Sequence, residues 1–307
     1  MTAFLRRASA PHPFPLVAMA LVGFIVGIGE AFGPFPLPGD FSYDWLGGFE
    51  RGGYVYPPVL TQLMQPLHVI DVRLVIVAWT VLLFASIGYV LRWWSFLACV
   101  LALVGVFVPG PWAAPVASAI MGNVTMPMVA AMVLGMRHPA LWAVPLLTKI
   151  TPGIGVLWFA FRREWRQFAI AVGTAAGLAF AFMAVDPGTW ADFVRFALAN
   201  LTATNNGPDI VGPRLWLRLP IAVLLVWFAA RTDRPWLVPI AGATAIVGMY
   251  GFGTWATVAL GAIPLALQPD EHGARQPVAR GQAAAISADE LVDSATSRRR
   301  YRMKAAP

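Results

Sequence analysis

Apolar runs broken by short clusters of arginine, proline and amides dominate the chain from Phe14 to Leu267. Those that reach or approach the roughly 20 residues needed to cross about 30 Å of hydrocarbon predict helical spans. They fall at Phe14–Phe32, Pro57–Ile70, Val72–Leu91, Ser95–Val108, Ala114–Gly135, Ala140–Ala160, Phe168–Ala184, Leu215–Ala230, Leu237–Tyr250 and Gly253–Leu267, about ten crossings. Pro57–Ile70 is short, covering about 21 Å as a straight helix. It is kept as a crossing because a re-entrant segment there would turn Arg162, Arg163 and Arg166 outward, against the positive-inside tendency.

Composition strengthens this pattern. With 58% hydrophobic and 12% charged residues and a mean hydropathy of +0.67, the chain reads as an all-α, polytopic transmembrane helical bundle, and soluble folds are excluded. The first run shows no small-residue cleavage site before Glu30 and reads as a retained helix. Arg6 and Arg7 place the N-terminus in the cytoplasm, and ten crossings bring Arg162, Arg163, Arg166, Arg231, Arg234 and the basic C-terminus there too. The expectation is a multi-pass protein of the cytoplasmic (plasma) membrane with both termini cytoplasmic. Residues 1–267 form its membrane domain, and 268–307 form a disordered cytoplasmic tail whose basic end suits anionic lipid headgroups.

The net charge of +7 therefore reports topology rather than nucleic-acid binding, since no basic face is laid out along a helix. Cys99, the single cysteine, rules out a disulfide within the chain. His12, His68, His138 and His272 have no metal-ligand spacing, so neither a metal nor another cofactor is expected. No internal repeat is evident, which disfavours the common transporter architectures.

Two polar stretches, Gly33 to Tyr56 and Asp186 to Pro213, are long enough to hold a site outside the membrane. In the first, Asp40 and Asp44 lie four residues apart with Phe41, Tyr43 and Trp45 between and around them. A local coil would put both carboxylates on one face, where an acid at a cavity mouth accepts a proton; a solvated loop with an aromatic belt accounts for the same spacing. Pro57 and Pro58 suit a helix start, with Tyr54, Tyr56, Gln62 and Gln65 decorating it. Gly122-Asn123 places an amide within an apolar span, either for substrate or for a helix-to-helix hydrogen bond. Lys149 is a cation in an apolar segment, costly unless it faces a polar cavity or an anion. Pro152 beside it can widen such a cavity, so Lys149 suits a phosphate, with snorkelling or a pair with Glu30 as the alternative. The second stretch offers Asn200, Asn205, Asn206, Asp209, Arg214 and Arg218, and Arg214 can grip phosphate oxygens bidentately.

Taken in order, D-F-S-Y-D from Asp40, Y-V-Y-P-P-V-L from Tyr54, G-N-V from Gly122, L-T-K-I-T-P from Leu147 and R-R-E-W-R from Arg162 resemble the polyprenyl-phosphate-dependent mannosyltransferases of glycosyltransferase family 87. The resemblance spans roughly Asp40 to Arg166 and implies a GT-C-like bundle. It implies that Asp40 is the catalytic base, with Asp44 the alternative acid, and that Lys149 and Arg214 hold the donor phosphate. Tyr54, Tyr56, Gln62, Asn123 and Asn206 would line the substrate site. The chain is shorter than expected for that family, and the stretch from Asp40 to Tyr54 is compressed.

The resemblance thus implies transfer of a hexose, mannose first, from a polyprenyl-phosphate sugar to a lipid or glycolipid hydroxyl on the outer face, with inversion. A lipid-phosphate sugar carries its own leaving group, so the protein supplies a base, cations for the departing phosphate and an apolar groove. The other classes open to the same residues are a transporter or lipid flippase, with Lys149 and the acids as an ion or headgroup path, and a non-catalytic partner subunit.

Overall fold

The computed structural model describes residues 13–34, 38, 41, 57–105, 113–202, 215–246 and 252–267, and in these residues the protein is all helix, without strands. The expected tail, 268–307, nearly all of the first polar stretch and residues 203–213 of the second lie outside the described residues.

Two 20-residue helices, α1 (Pro13–Phe32) and α3 (Val72–Leu91), form the first hairpin. Pro15, Met19, Gly23 and Gly27 are the buried residues of α1, a row four residues apart that lies against α3. The sequence G-F-I-V-G makes close approach possible: a Cβ on Gly23 would stand 2.7 Å from Phe84 Cβ and 2.9 Å from the Thr80 carbonyl. Thr80 donates to Glu30 Oε2 at 2.8 Å. Arg73 sits over the Phe32 ring, Gly88 packs on Pro15 and Met19, and Phe14 stacks on Trp93. The two helices are therefore antiparallel, and the chain leaves α1 and enters α3 at the same end of the bundle.

That geometry overturns the crossing at Pro57–Ile70. The segment is α2 (Val59–Met64) followed by a 3-10 turn at Gln65–Val69, and a single crossing between the paired ends of α1 and α3 would deliver the chain to the wrong end. Two short helical pieces of six and five residues span too little of the hydrocarbon. As expected, the helix starts immediately after Pro58.

From the far end, α4 (Trp94–Gly105) runs back along α1, with Phe96 near Phe14 and the Cys99 sulfur 3.8 Å from that of Met19. The expected span 114–135 is two helices, α5 (Ala114–Ile120) and α6 (Thr125–Gly135), bent by 118° at the break between them. The next segment, 139–161, also differs from expectation. A 3-10 turn (Pro139–Trp142) and α7 (Ala143–Thr148) lead to Lys149, and a second 3-10 turn (Thr151–Val156) and α8 (Leu157–Phe161) lead back. Gly153 packs on Leu146, and Gly155 packs on Trp142 so closely that a Cβ there would meet its ring. Two legs that face each other in reverse order make a re-entrant hairpin, so 140–160 is not a crossing either.

These two corrections offset each other. Each removes one reversal of the chain, so the Arg162–Arg166 cluster stays at the end of the bundle that also carries Arg92, Arg137, Arg231 and Arg234.

Beyond the hairpin, α9 (Trp165–Val185) is a 21-residue apolar helix in which only Ala171 and Ala175 are buried, an arrangement suited to lipid and not to water. Where a loop was expected, α10 (Pro187–Thr202) follows. Its start is capped by Asp186, which accepts from the Thr189 N–H at 3.1 Å and from the Thr189 hydroxyl, with Pro187 as the first helical residue. Helix α11 (Leu215–Thr232) pairs with α12 (Leu237–Ala245), and α13 (Phe252–Ala259) and α14 (Ala262–Ala266) close the bundle. Among the described residues three helices, α1, α3 and α9, are long and apolar enough to cross a membrane, and four if α5 and α6 count as one span. The shorter apolar helices pack around them, which gives a multi-pass membrane protein.

Candidate functional site

The break between α5 and α6 and the tip of the re-entrant hairpin meet. Gly122 has φ +78°, the left-handed conformation that a helix-ending glycine takes without strain. Its N–H bonds the Ala119 carbonyl and the Asn123 N–H bonds that of Ser118, the two bonds of a Schellman motif. The carbonyl that the break leaves open at Gly122 accepts from Trp79 Nε1 at 2.9 Å. Asn123 Oδ1 then accepts from the Thr125 N–H at 2.9 Å and from the Thr125 hydroxyl, starting α6. Gly-Asn thus closes one helix and opens the next.

Lys149, the residue ending α7, reaches into this break. Its Nζ lies 2.9 Å from Thr125 Oγ1 and 3.4 Å from Asn123 Oδ1. Both are neutral oxygens that accept from the ammonium and orient it. The alternative pair with Glu30 does not form: no ion pair joins the two, and the Glu30 carboxylate accepts instead from the Thr80 hydroxyl.

Phe41, fully buried among Val75, Ile76 and Trp79, packs against the other side of the break, with its Cβ 2.8 Å from a Cβ built on Gly122. Gly122 is therefore required twice, by its φ and by the backbone of Phe41. Thr125 and Trp79 complete the cluster, and neither stands out as chemistry in the sequence. The triplet Asn123-Val124-Thr125 is the only written signal for Thr125.

Gln62 is brought near this cluster but is otherwise engaged. Buried on α2, it donates from Nε2 to the Phe182 carbonyl at 3.3 Å and accepts from Trp190 Nε1 at 3.2 Å. It ties α2 to the end of α9 and to α10. On the same helix Val59 packs with Leu147, two residues before Lys149, and Leu60 and Met64 pack on Val124, the residue after Asn123. Arg218, expected in a loop, lies in the first turn of α11 and donates to the Ile246 carbonyl at 2.9 Å, joining α11 to the end of α12. Asp40, Asp44, Tyr54, Tyr56, Asn206 and Arg214 lie outside the described residues.

The Thr189 hydroxyl and then its N–H hold the Asp186 carboxyl below the usual aspartate range. This carboxylate is consequently a cap for α10, at the end of the bundle that the Lys149 tip approaches.

The cluster thus offers a fixed cation at a polar break in an apolar bundle, suited to bind an anion at membrane depth. The family model of glycosyltransferase family 87 matches residues 54–267, which contain every described residue of this cluster except Phe41. No curated protein and no solved structure matches the chain.

Proposed function

Given that the chain belongs to glycosyltransferase family 87, and is thereby a membrane glycosyltransferase of the GT-C class, we propose that it moves a hexose, mannose first, from a polyprenyl-phosphate donor to a lipid or glycolipid hydroxyl. The single observation that carries the reading is Lys149 presented by Thr125 and Asn123 at the tip of the re-entrant hairpin. A donor that leaves as a lipid phosphate needs a cation held at membrane depth, and Lys149 supplies it.

In the proposed mechanism Lys149, with Arg214, stabilises the phosphate as the bond to the anomeric carbon breaks. Asp40 takes the proton of the attacking hydroxyl, displacement is direct, and the anomeric configuration inverts. Asp44 is the second carboxylate available to the first polar stretch. Phe41, the residue after Asp40, is anchored on the break that presents Lys149, which supports base and cation serving one site. Tyr54, Tyr56, Asn123 and Asn206 contribute to sugar and acceptor binding, while Gln62 holds α2 beside them. The arginine-bearing end faces the cytoplasm by the positive-inside tendency, so transfer takes place toward the outer face.

The test is transfer of radiolabelled mannose from synthetic polyprenyl-phosphate-mannose into a membrane lipid extract. The parent protein is compared with Asp40→Asn and Lys149→Met, each first shown to be folded by its thermal unfolding. New labelled lipid from the parent alone supports the assignment. A fully active Asp40→Asn protein removes Asp40 as base, and a fully active Lys149→Met protein removes the phosphate role.

A further inference from the structure

At the base of the re-entrant hairpin, away from its Lys149 tip, Phe161, Arg162, Arg163, Ala230 and Arg231 line an open cavity of about 340 Å³. Arg162 is already committed: its Nε meets Glu164 at 2.8 Å and its Nη1 meets Asp233. Arg163 and Arg231 have no ion-pair partner among the described residues, and Arg231 is held over the Trp227 ring, 5.9 Å from its centre. The pocket therefore carries two arginines without an ion-pair partner among the described residues beside a third that two carboxylates hold, so the three arginines and two acids together keep a net positive charge.

The backbone at Arg163 adds a second observation. Its N–H bonds the Ala160 carbonyl and the Glu164 N–H bonds that of Phe159, the ending that glycine normally makes, yet the residue is an arginine at φ +61°. A side chain kept where glycine would relieve the backbone points to a use for that side chain. Next to the pocket, Trp227, Phe228, Leu224 and Trp165 are exposed apolar residues on the flank of the bundle. Tryptophan beside arginine at the end of an apolar helix is the composition of a membrane interface.

We propose that Arg163 and Arg231 bind the phosphate-bearing headgroup of an anionic membrane lipid in this pocket, with its acyl chains along the Trp227 flank. The site is separate from the transferase centre and does not depend on how that centre works. Arginine forks match phosphate oxygens in pairs, and the apolar flank is what distinguishes a lipid phosphate from a free one.

The experiment is native mass spectrometry of the full-length protein exchanged between vesicles of phosphatidylcholine and of phosphatidylglycerol. Parallel samples in phosphatidylcholine receive inorganic phosphate, read by thermal unfolding. The parent should retain phosphatidylglycerol preferentially. Arg163→Gly and Arg231→Gln should each lower retention about fivefold, equivalent to about 1 kcal/mol for one arginine at an anionic surface. Arg166→Gln and Arg234→Gln, at the same end but outside the pocket, should leave it unchanged. Arg163→Gly also guards against misfolding, since removing the strained side chain should raise or preserve the unfolding temperature while binding falls. Equal losses in all four variants would mean diffuse surface charge and overturn the site. So would a lack of preference for the anionic lipid, or inorganic phosphate stabilising the protein as well as the lipid does.

Discussion

Gly122 is the residue on which the proposed site turns, because it alone permits both the reversal between α5 and α6 and the seat of Phe41. Gly122→Ala is expected to cost about 1–3 kcal/mol from the left-handed backbone, with added crowding against Phe41; a lowered thermal midpoint in detergent checks it. Lys149 carries a different expectation. Lys149→Met should leave that midpoint nearly unchanged while sugar transfer falls about 10²–10³-fold, the usual loss for one preorganised donor to developing charge, as single-turnover transfer from the labelled donor would show. Gly122, Asn123 and Lys149 were legible in the sequence because an amide and a cation are costly in an apolar run. Thr125 and Trp79 were not legible. A threonine and a tryptophan are ordinary in such a run, and their roles exist only because the fold brings Lys149 and Gly122 to them.

Among the elements, the hairpin of 139–161 depends on glycine at its facing positions. Gly155→Ala would drive a methyl into the Trp142 ring and Val238 Cγ1, with an expected cost of about 1–3 kcal/mol; the same thermal measurement tests it, and a loss of transfer should accompany displacement of the Lys149 tip. Helix α10 makes a pH prediction. Its Asp186 cap has a folded pKa held below the unfolded value of about 3.9, so the cap stabilises fully above that value and is lost as pH falls through the lower folded one. Exchange protection of the Thr189 amide, corrected for its intrinsic rate, should drop over that acid range and stay flat in Asp186→Asn. The sequence hid α10 because its amides and charges read as loop polarity. The start signal, Asp-Pro-x-Thr, was nevertheless written at 186–189, and Trp190 and Phe193 supply the buried face.

For the whole molecule the sharpest expectation concerns sidedness. In a Cys99→Ser background, cysteines placed at Val69 and Gly188 should react with an impermeant maleimide on one side of the membrane, and those at His138 and Arg163 on the other. Ten simple crossings would instead separate His138 from Arg163, so labelling of intact cells or oriented vesicles distinguishes the two arrangements. The order of the short motifs from Asp40 to Arg166 carried the resemblance to the family, while apolar content and the positions of arginine were enough to specify a multi-pass helical bundle and to give α1, α3 and α9 nearly to their ends. They work because transfer to hydrocarbon depends on local composition. Whether a short apolar run crosses or turns back depends on which helix it meets, and only the tertiary structure decided this, through the antiparallel seam of α1 and α3 and the glycine contacts that fold 139–161 on itself. The meeting of Lys149 with Asn123 and Thr125 was decided there too, since residues 24 and 26 apart in sequence become neighbours only when both breaks are packed together.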